Sequence, residues 1–190
     1  MYLFINAISK NSKFILFDKK NKIVDKVSVK IHGKESENLF KYIEKLLKKN
    51  ELDFSKIDGI TVINGPGGFT GTRTLSLVIN TIFYLYKTKI DVFDYFKFLE
   101  LSGAIYPIAI KANKREYLIK EDCKKMPYLS NIDNIKPGNY FGIGDNIDFE
   151  NKDISIKSGE DYKTFFKNYT FDGKLQKIEP YYIKQPNITI

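Results

Sequence analysis

Apolar and polar positions along the chain recur with two different periods, and together they predict a mixed α/β protein. Met1 to Ile8 (MYLFINAI) and Lys13 to Phe17 (KFILF) are short, mostly apolar runs on either side of Ser9–Ser12, which reads as a hairpin. Lys22 to Ile31 alternates Ile23, Val24, Val27, Val29 and Ile31 with charged residues, as a half-exposed third strand does. The period then changes. Leu39, Phe40, Ile43, Leu46 and Leu47 form one helical stripe, with Ser36 suited to cap its start. Glu35 and Glu37 suit the positive end of that helix, Lys48 and Lys49 the negative end, and Asn50 a left-handed stop.

Ile60 to Ile63 is β-branched and apolar, the pattern of a buried strand. Gly65, Pro66, Gly67 and Gly68 interrupt it, and the segment from about Arg73 to Tyr86 is apolar enough for a buried helix, with Thr70 expected as its cap. Leu75, Val78, Ile79, Ile82 and Tyr86 make the stripe that faces the sheet. Leu77, Thr81, Tyr84 and Leu85 make much of the opposite side apolar too. A helix apolar nearly all round needs cover on both sides, either from a partner or from a second lobe.

Further on, Ile90 to Phe93 reads as a strand, Tyr95 to Ser102 as a helix stopped by Gly103, and Tyr106–Ile110 with Glu116–Ile119 as a hairpin over Ala112–Arg115. Between Lys120 and Lys152 the pattern thins to a strand at Phe141–Gly144. Asp161–Tyr169 reads as a helix and Pro180–Gln185 as an extended end. There are no internal repeats.

Composition narrows the class. The 190 residues are 43% hydrophobic, enough for one domain or two small lobes. One cysteine, Cys123, excludes an internal disulfide framework and fits a reducing compartment. No apolar run approaches the roughly 20 residues of a membrane span, and no basic leader precedes the first strand, so a cytoplasmic location and no membrane contact are expected. The net charge of +8 favours polyanions, tRNA among them. His32 is the sole histidine and reads as a loop residue, which leaves little for a zinc site or a Ser-His-Asp triad. Asp145 and Asp148 sit in a polar turn rather than a catalytic pair.

The glycine turn offers two chemistries. A strand, a glycine turn and a helix can aim backbone N–H groups at a phosphate. Yet Gly65 to Gly71 has Thr72-Arg73 where a phosphate loop needs Lys-Ser/Thr, and Gly65-Pro66-Gly67-Gly68-Phe69-Thr70 misses the last glycine of a dinucleotide fingerprint. A structural turn with tight backbone packing is the other reading.

The whole segment GPGGFTGTR (Gly65, Pro66, Gly67, Gly68, Phe69, Thr70, Gly71, Thr72, Arg73) closely resembles the GPGSFTGLR signature of the bacterial TsaB (formerly YeaZ) family. SENLFKYIEKLLKKNELDFSKIDGITV, IYPIAIKANKREYLI and IEPYYIKQPNI resemble further stretches of that family in the same order. The resemblance implies an actin-like (ribonuclease H-like) α/β fold of two lobes with mixed sheets. The second lobe is expected to be reduced, with lobes at 1–103 and 104–190. It also implies a role as a non-catalytic partner subunit in tRNA threonylcarbamoyladenosine synthesis. The partners implied are a TsaD-like transferase and a TsaE-like ATPase, with tRNA as substrate of the complex and a homodimer as the state of the chain alone. ATP and metal then belong to those partners. In the wider superfamily the first strand carries an aspartate that handles phosphate or metal; here Asn6-Ala7-Ile8-Ser9 occupies that place, and a neutral asparagine is a poor ligand for a hard cation. Asn6, Gly65, Gly67 and Gly68 are thus the residues a nucleotide would have to use, and no cofactor is expected at them. Arg73 is expected to bind the turn's carbonyls or a partner's carboxylate, and Leu77, Thr81, Tyr84 and Leu85 to form the partner interface. The rival reading is a stand-alone actin-like ATP-dependent transferase or kinase. A third reading, a metallopeptidase, lacks a metal constellation.

Overall fold

A computed structural model describes residues 1–9, 11–30, 35–113, 115–143 and 154–182, with the backbone alone for residues 35–37. Two compact units emerge. The first comprises Met1–Tyr95 together with the segment that begins at Thr170, and the second is Phe96–Tyr169.

In the first unit, β1 (Tyr2–Asn6), β2 (Ser12–Phe17), β3 (Ile23–Val29), β4 (Gly59–Ile63) and β5 (Lys89–Phe93) form a sheet in the order β3-β2-β1-β4-β5. The first three strands pair antiparallel, while β1–β4 and β4–β5 pair parallel. All of β4 is buried, as its continuous β-branched run demands of a central parallel strand. Parallel neighbours need long crossovers, and α1 (Glu35–Lys49) and α2 (Phe69–Tyr86) supply them. The core joins Leu3, Ile5, Phe14 and Leu16 of the sheet to Leu39, Ile43 and Leu46 of α1 and Leu75, Ile79 and Ile82 of α2. On the edge strand β3, Asp25 accepts Lys49 Nζ and Asn50 Nδ2, each at 2.8 Å, and so fastens the end of α1 to the sheet. The Lys49 ammonium and the Asn50 amide hold the Asp25 carboxyl down at about 2.

The chain returns to this unit after Thr170. Ile90 and Lys174 exchange backbone hydrogen bonds of 2.8 and 3.0 Å beside β5. The Asn80 side chain of α2 then takes up both backbone groups of Ile178: the Ile178 N–H donates to Oδ1 (2.8 Å) and Nδ2 donates to the carbonyl (2.9 Å). The boundary expected at Gly103–Ala104 therefore falls inside the second unit, and the C-terminal stretch through Tyr182 belongs with the first rather than the second.

In the second unit, β6 (Ile108–Lys111), β7 (Glu116–Lys120), β8 (Tyr128–Asn131), β9 (Gly138–Gly142) and β10 (Ile154–Ser158) lie in the order β10-β9-β6-β7-β8. This repeats the first sheet: three antiparallel strands, then two parallel additions to the first of them. The reduction is visible in the connections, since β8 reaches β9 through residues 132–137 and a single 3-10 turn where the first unit has α1. Ala109, Tyr117, Ile119, Ile135, Tyr140 and Ile154 fill the core on one face. The unit also holds α4 (Tyr162–Asn168) and all of α3 (Tyr95–Leu101) but Tyr95. The Phe98 ring lies 5.1 Å from both Tyr162 and Phe165. Lys120 Nζ lies 2.6 Å from Glu100 Oε1, which also accepts the Tyr106 hydroxyl.

Strands β8 and β10 were not expected from the pattern, and two helical expectations change. Thr70 lies within α2 rather than capping it, because Gly68 is the N-cap. Tyr86, placed by spacing on the inward stripe, is exposed at the last turn. His32, Asp145, Asp148 and the stretch from Ile183 lie outside the described residues.

Candidate functional site

The glycine turn is built by close approach to the rest of its own unit. Gly65 has φ +149°, and a Cβ there would lie 2.4 Å from the Tyr181 carbonyl oxygen. A Cβ on Gly67 would lie 2.3 Å from Ile8 Cγ2 and 3.2 Å from Thr72 Cγ2. Both positions therefore require glycine for packing against the chain itself. The Gly65 carbonyl accepts the Tyr95 N–H at 2.7 Å, and Asn64 holds the returning strand through its carbonyl, which accepts the Tyr181 N–H at 3.0 Å, and through Nδ2, which donates to the Glu179 carbonyl at 2.9 Å.

Asn6 is fully buried beside this turn. Its Nδ2 donates to the Tyr95 hydroxyl at 2.9 Å, and its Oδ1 accepts the Ile8 N–H at 3.4 Å. Gly68 alone has open space about its Cα, with φ −60° and ψ 137° as the N-cap of α2 and no side-chain bond to the helix. Thr72 Oγ1 bonds back to the Gly68 carbonyl at 3.1 Å. Of the four positions a nucleotide would need, Asn6, Gly65 and Gly67 are engaged with neighbouring residues of the first unit. Among the described residues no group of three His, Cys, Asp or Glu side chains comes together.

The Arg73 side chain makes no hydrogen bond among the described residues, so of its two expected roles the tie to the turn's carbonyls is not made there. Its guanidinium lies 4.7 Å from the centre of the Phe69 ring, which in turn meets Tyr182 at 5.3 Å. A planar cation stacked on an aromatic face accounts for this placement.

From Arg73 onward α2 presents an apolar face. Leu77 is 69% exposed, Tyr84 71% and Leu85 62%, and Thr81 is exposed between them, its hydroxyl donating to the Leu77 carbonyl at 2.9 Å. Spacing of four, seven and eight residues puts these side chains on one stripe, opposite Leu75, Ile79 and Ile82. The Asn80 flank is covered by the returning C-terminal segment, whereas no described residue covers the stripe. Arg73 is the only charged residue in α2, and Lys87 follows as its left-handed C-cap with Nζ 5.1 Å from the Tyr84 ring. Sequence spacing missed one extension. Phe40 of α1, assigned to the inner stripe, is 47% exposed and stacks on Phe54 (5.4 Å), whose ring also meets Tyr86 (5.6 Å). The signal was its place one residue past Leu39, at the margin of the stripe.

The strand order, the crossover helices and the repeat of that order in the second unit define an actin-like α/β protein of two sheets. More specifically, the chain has the fold of YeaZ (TsaB). It superposes on YeaZ from Pseudomonas aeruginosa with a TM-score of 0.65 and 15% identity over 86% of this chain and 89% of that one. It matches a second structure, described as an uncharacterized protein with similarity to peptidase YeaZ from Pseudomonas aeruginosa, with a TM-score of 0.71 and 15% identity over 96% and 99%. No family model matches the chain. Two curated relatives are similar in sequence, both named as uncharacterized proteins. The MG208 homolog of Mycoplasma pneumoniae is 32% identical over 80 residues, 42% of this chain and 41% of the relative. MG208 of Mycoplasma genitalium is 33% identical over 87 residues, 45% and 44%. The matched region thus spans less than half the length of either relative.

Proposed function

We propose that this chain is a TsaB-like, non-catalytic partner subunit of tRNA threonylcarbamoyladenosine synthesis, and that the exposed stripe of α2 docks a TsaD-like transferase. The observation that carries the reading is the row Leu77, Thr81, Tyr84 and Leu85, exposed on a helix whose other side is core. Contiguous apolar surface of this kind is costly to leave in water and is the usual mark of a protein interface. The YeaZ fold and the GPGGFTGTR turn support the choice of partner. The packing of Asn6, Gly65 and Gly67 against their own unit supports a structural rather than a nucleotide-binding turn.

The test is co-expression with the TsaD-like protein of the same organism, comparing the natural chain with Leu77→Glu. At 69% exposure the change should alter folding stability by less than about 0.5 kcal/mol. Buried at an interface, the unpaired carboxylate should cost several kcal/mol of association, about 3 or more, and co-purification and tRNA modification should both disappear. A folded Leu77→Glu chain that still co-purifies would overturn the docking face. A natural chain that binds no TsaD-like protein would overturn the family role.

A further inference from the structure

The chain's positive charge is concentrated in one stretch. Residues 10–49 carry twelve lysines against five carboxylates, so +7 of the formal +8 arises there. In the fold the described residues of this stretch form the β2–β3 hairpin, the edge strand β3 and the helix α1 packed over them. Lys19, Lys20 and Lys22 are exposed on the hairpin, Lys26 and Lys30 on and just past the edge strand, and Lys41 and Lys45 on the outer side of α1. None of these seven forms an ion pair among the described residues. Of the carboxylates in this stretch whose side chains are described, Asp25 pairs with Lys49, Glu44 with Lys48, and Asp18 accepts the backbone N–H groups of Lys20 and Lys22 at 2.8 and 2.9 Å.

We propose that this lysine rim binds the phosphodiester backbone of a double-helical nucleic acid. The proposal goes beyond the docking reading and does not depend on it, because the rim and the α2 stripe share no residue. Lysine is a point charge on a flexible stem, suited to phosphate oxygens and unable to read base edges with a planar fork. Single-stranded binding would call for several exposed rings among the cations, and here Phe14 and Phe17 are buried, Tyr42 stacks on Phe14, and Phe40 is a single half-exposed ring that stacks on Phe54. A membrane surface would call for an apolar face to insert, and Val24 and Phe40 are the only exposed bulky apolar side chains among described residues 11–49.

The experiment measures fluorescence anisotropy of a labelled tRNA transcript with the full-length chain over a salt series. It is repeated with Lys20→Glu/Lys26→Glu/Lys45→Glu, and with Lys124→Glu/Lys157→Glu/Lys167→Glu in the second unit as a control of equal charge. Each lysine-phosphate contact contributes about 0.9 to the slope of log affinity against log salt, so the rim triple should flatten that slope by up to about three and weaken binding at least about tenfold. The control triple should keep most of both. Equal losses in the two triples would reduce the effect to net charge and overturn the rim. So would failure of the natural chain to bind, or preferential binding to phosphatidylserine vesicles over nucleic acid. A DNA duplex of matched length identifies which nucleic acid is held. If the glutamate triple unfolds by circular dichroism, the glutamine triple at the same positions gives the same readout with a smaller change. Co-purification with a TsaD-like partner should survive the rim triple, so the two proposals fail separately.

Discussion

Placing one methyl group on Gly67 tests whether the glycine turn is a packing device. The added Cβ would sit 2.3 Å from Ile8 Cγ2, well inside van der Waals contact, and 3.2 Å from Thr72 Cγ2. Ile8 follows β1 and Thr72 lies in the first turn of α2, so relief requires β1 and the helix start to move apart. Overpacking of this kind costs about 1–3 kcal/mol, and in a chain of this size each kcal/mol lowers Tm by about 2–4 °C. Gly67→Ala should therefore lower Tm by several degrees. Gly68→Ser should not, because space about Gly68 is open and its backbone is ordinary. Its hydroxyl adds a helix cap, and the lost unfolded-state freedom adds to that, for a gain of up to about 1 kcal/mol. The decisive measurement is a double-mutant cycle by thermal or urea unfolding with Ile8→Ala, which removes the atom that clashes. Gly67→Ala in the Ile8→Ala background should cost at least about 1 kcal/mol less than in the natural one. Additive effects, or a Gly67→Ala chain as stable as the natural one, would refute the packing account.

Asp25 gives a pH prediction. Its carboxyl is held at about 2 by Lys49 and then Asn50, below its unfolded value, so its contribution is complete above about pH 4 and is lost as pH falls through about 2. Asp25→Asn should lower stability by about 1 kcal/mol at pH 7, after allowance for its partial exposure, and by only a small part of that at pH 2; an equal loss at both pH values would remove the ion pair as the cause. Asn80→Ala should strip both hydrogen bonds from Ile178, cost about 1–3 kcal/mol, and open residues 170–182 to limited proteolysis, whereas unchanged protection would show that Phe171 and Tyr181 hold the segment without it.

The first unit was legible because each of its elements is long or periodic enough to declare itself. The stripe of α1, the alternation of β3 and the β-branched run of β4 all follow from where one face meets the core. The second unit was harder. YLSN at β8 and ISIKS at β10 are short and half polar, and they become strands through pairing with β7 and β9 rather than through a pattern of their own. The start of α2 was misplaced for a similar reason. Thr70 is a better cap than glycine by local preference, but the tight approach of Gly67 to Ile8 and Thr72 starts the helix two residues earlier. Asn80 is a polar residue in an otherwise apolar stretch of α2, and the sequence pattern assigns it no role. Only the fold reveals its partner, the backbone of Ile178, 98 residues away.

The surface features fall in one unit because the two units differ in their connections. Both sheets follow one strand order, yet only the first has helices in its β3–β4 and β4–β5 crossovers among the described residues. Those two helices cover the sheet and leave outer sides of their own, apolar on α2 and lysine-rich on α1. Packed against β3 on one flank and α2 on the other, α1 separates the lysine rim along the sheet edge from the stripe through Leu77, Tyr84 and Leu85. With no acidic residue in α2 and Arg73 its only charge, the stripe has nothing to draw it to phosphate beyond one guanidinium stacked on Phe69. A protein partner on α2 therefore leaves Lys19, Lys20, Lys22, Lys26 and Lys30 uncovered. On this geometry Leu77→Glu should abolish partner binding while leaving the slope of nucleic-acid affinity against salt unchanged, and a parallel loss of both would show that the two surfaces act as one.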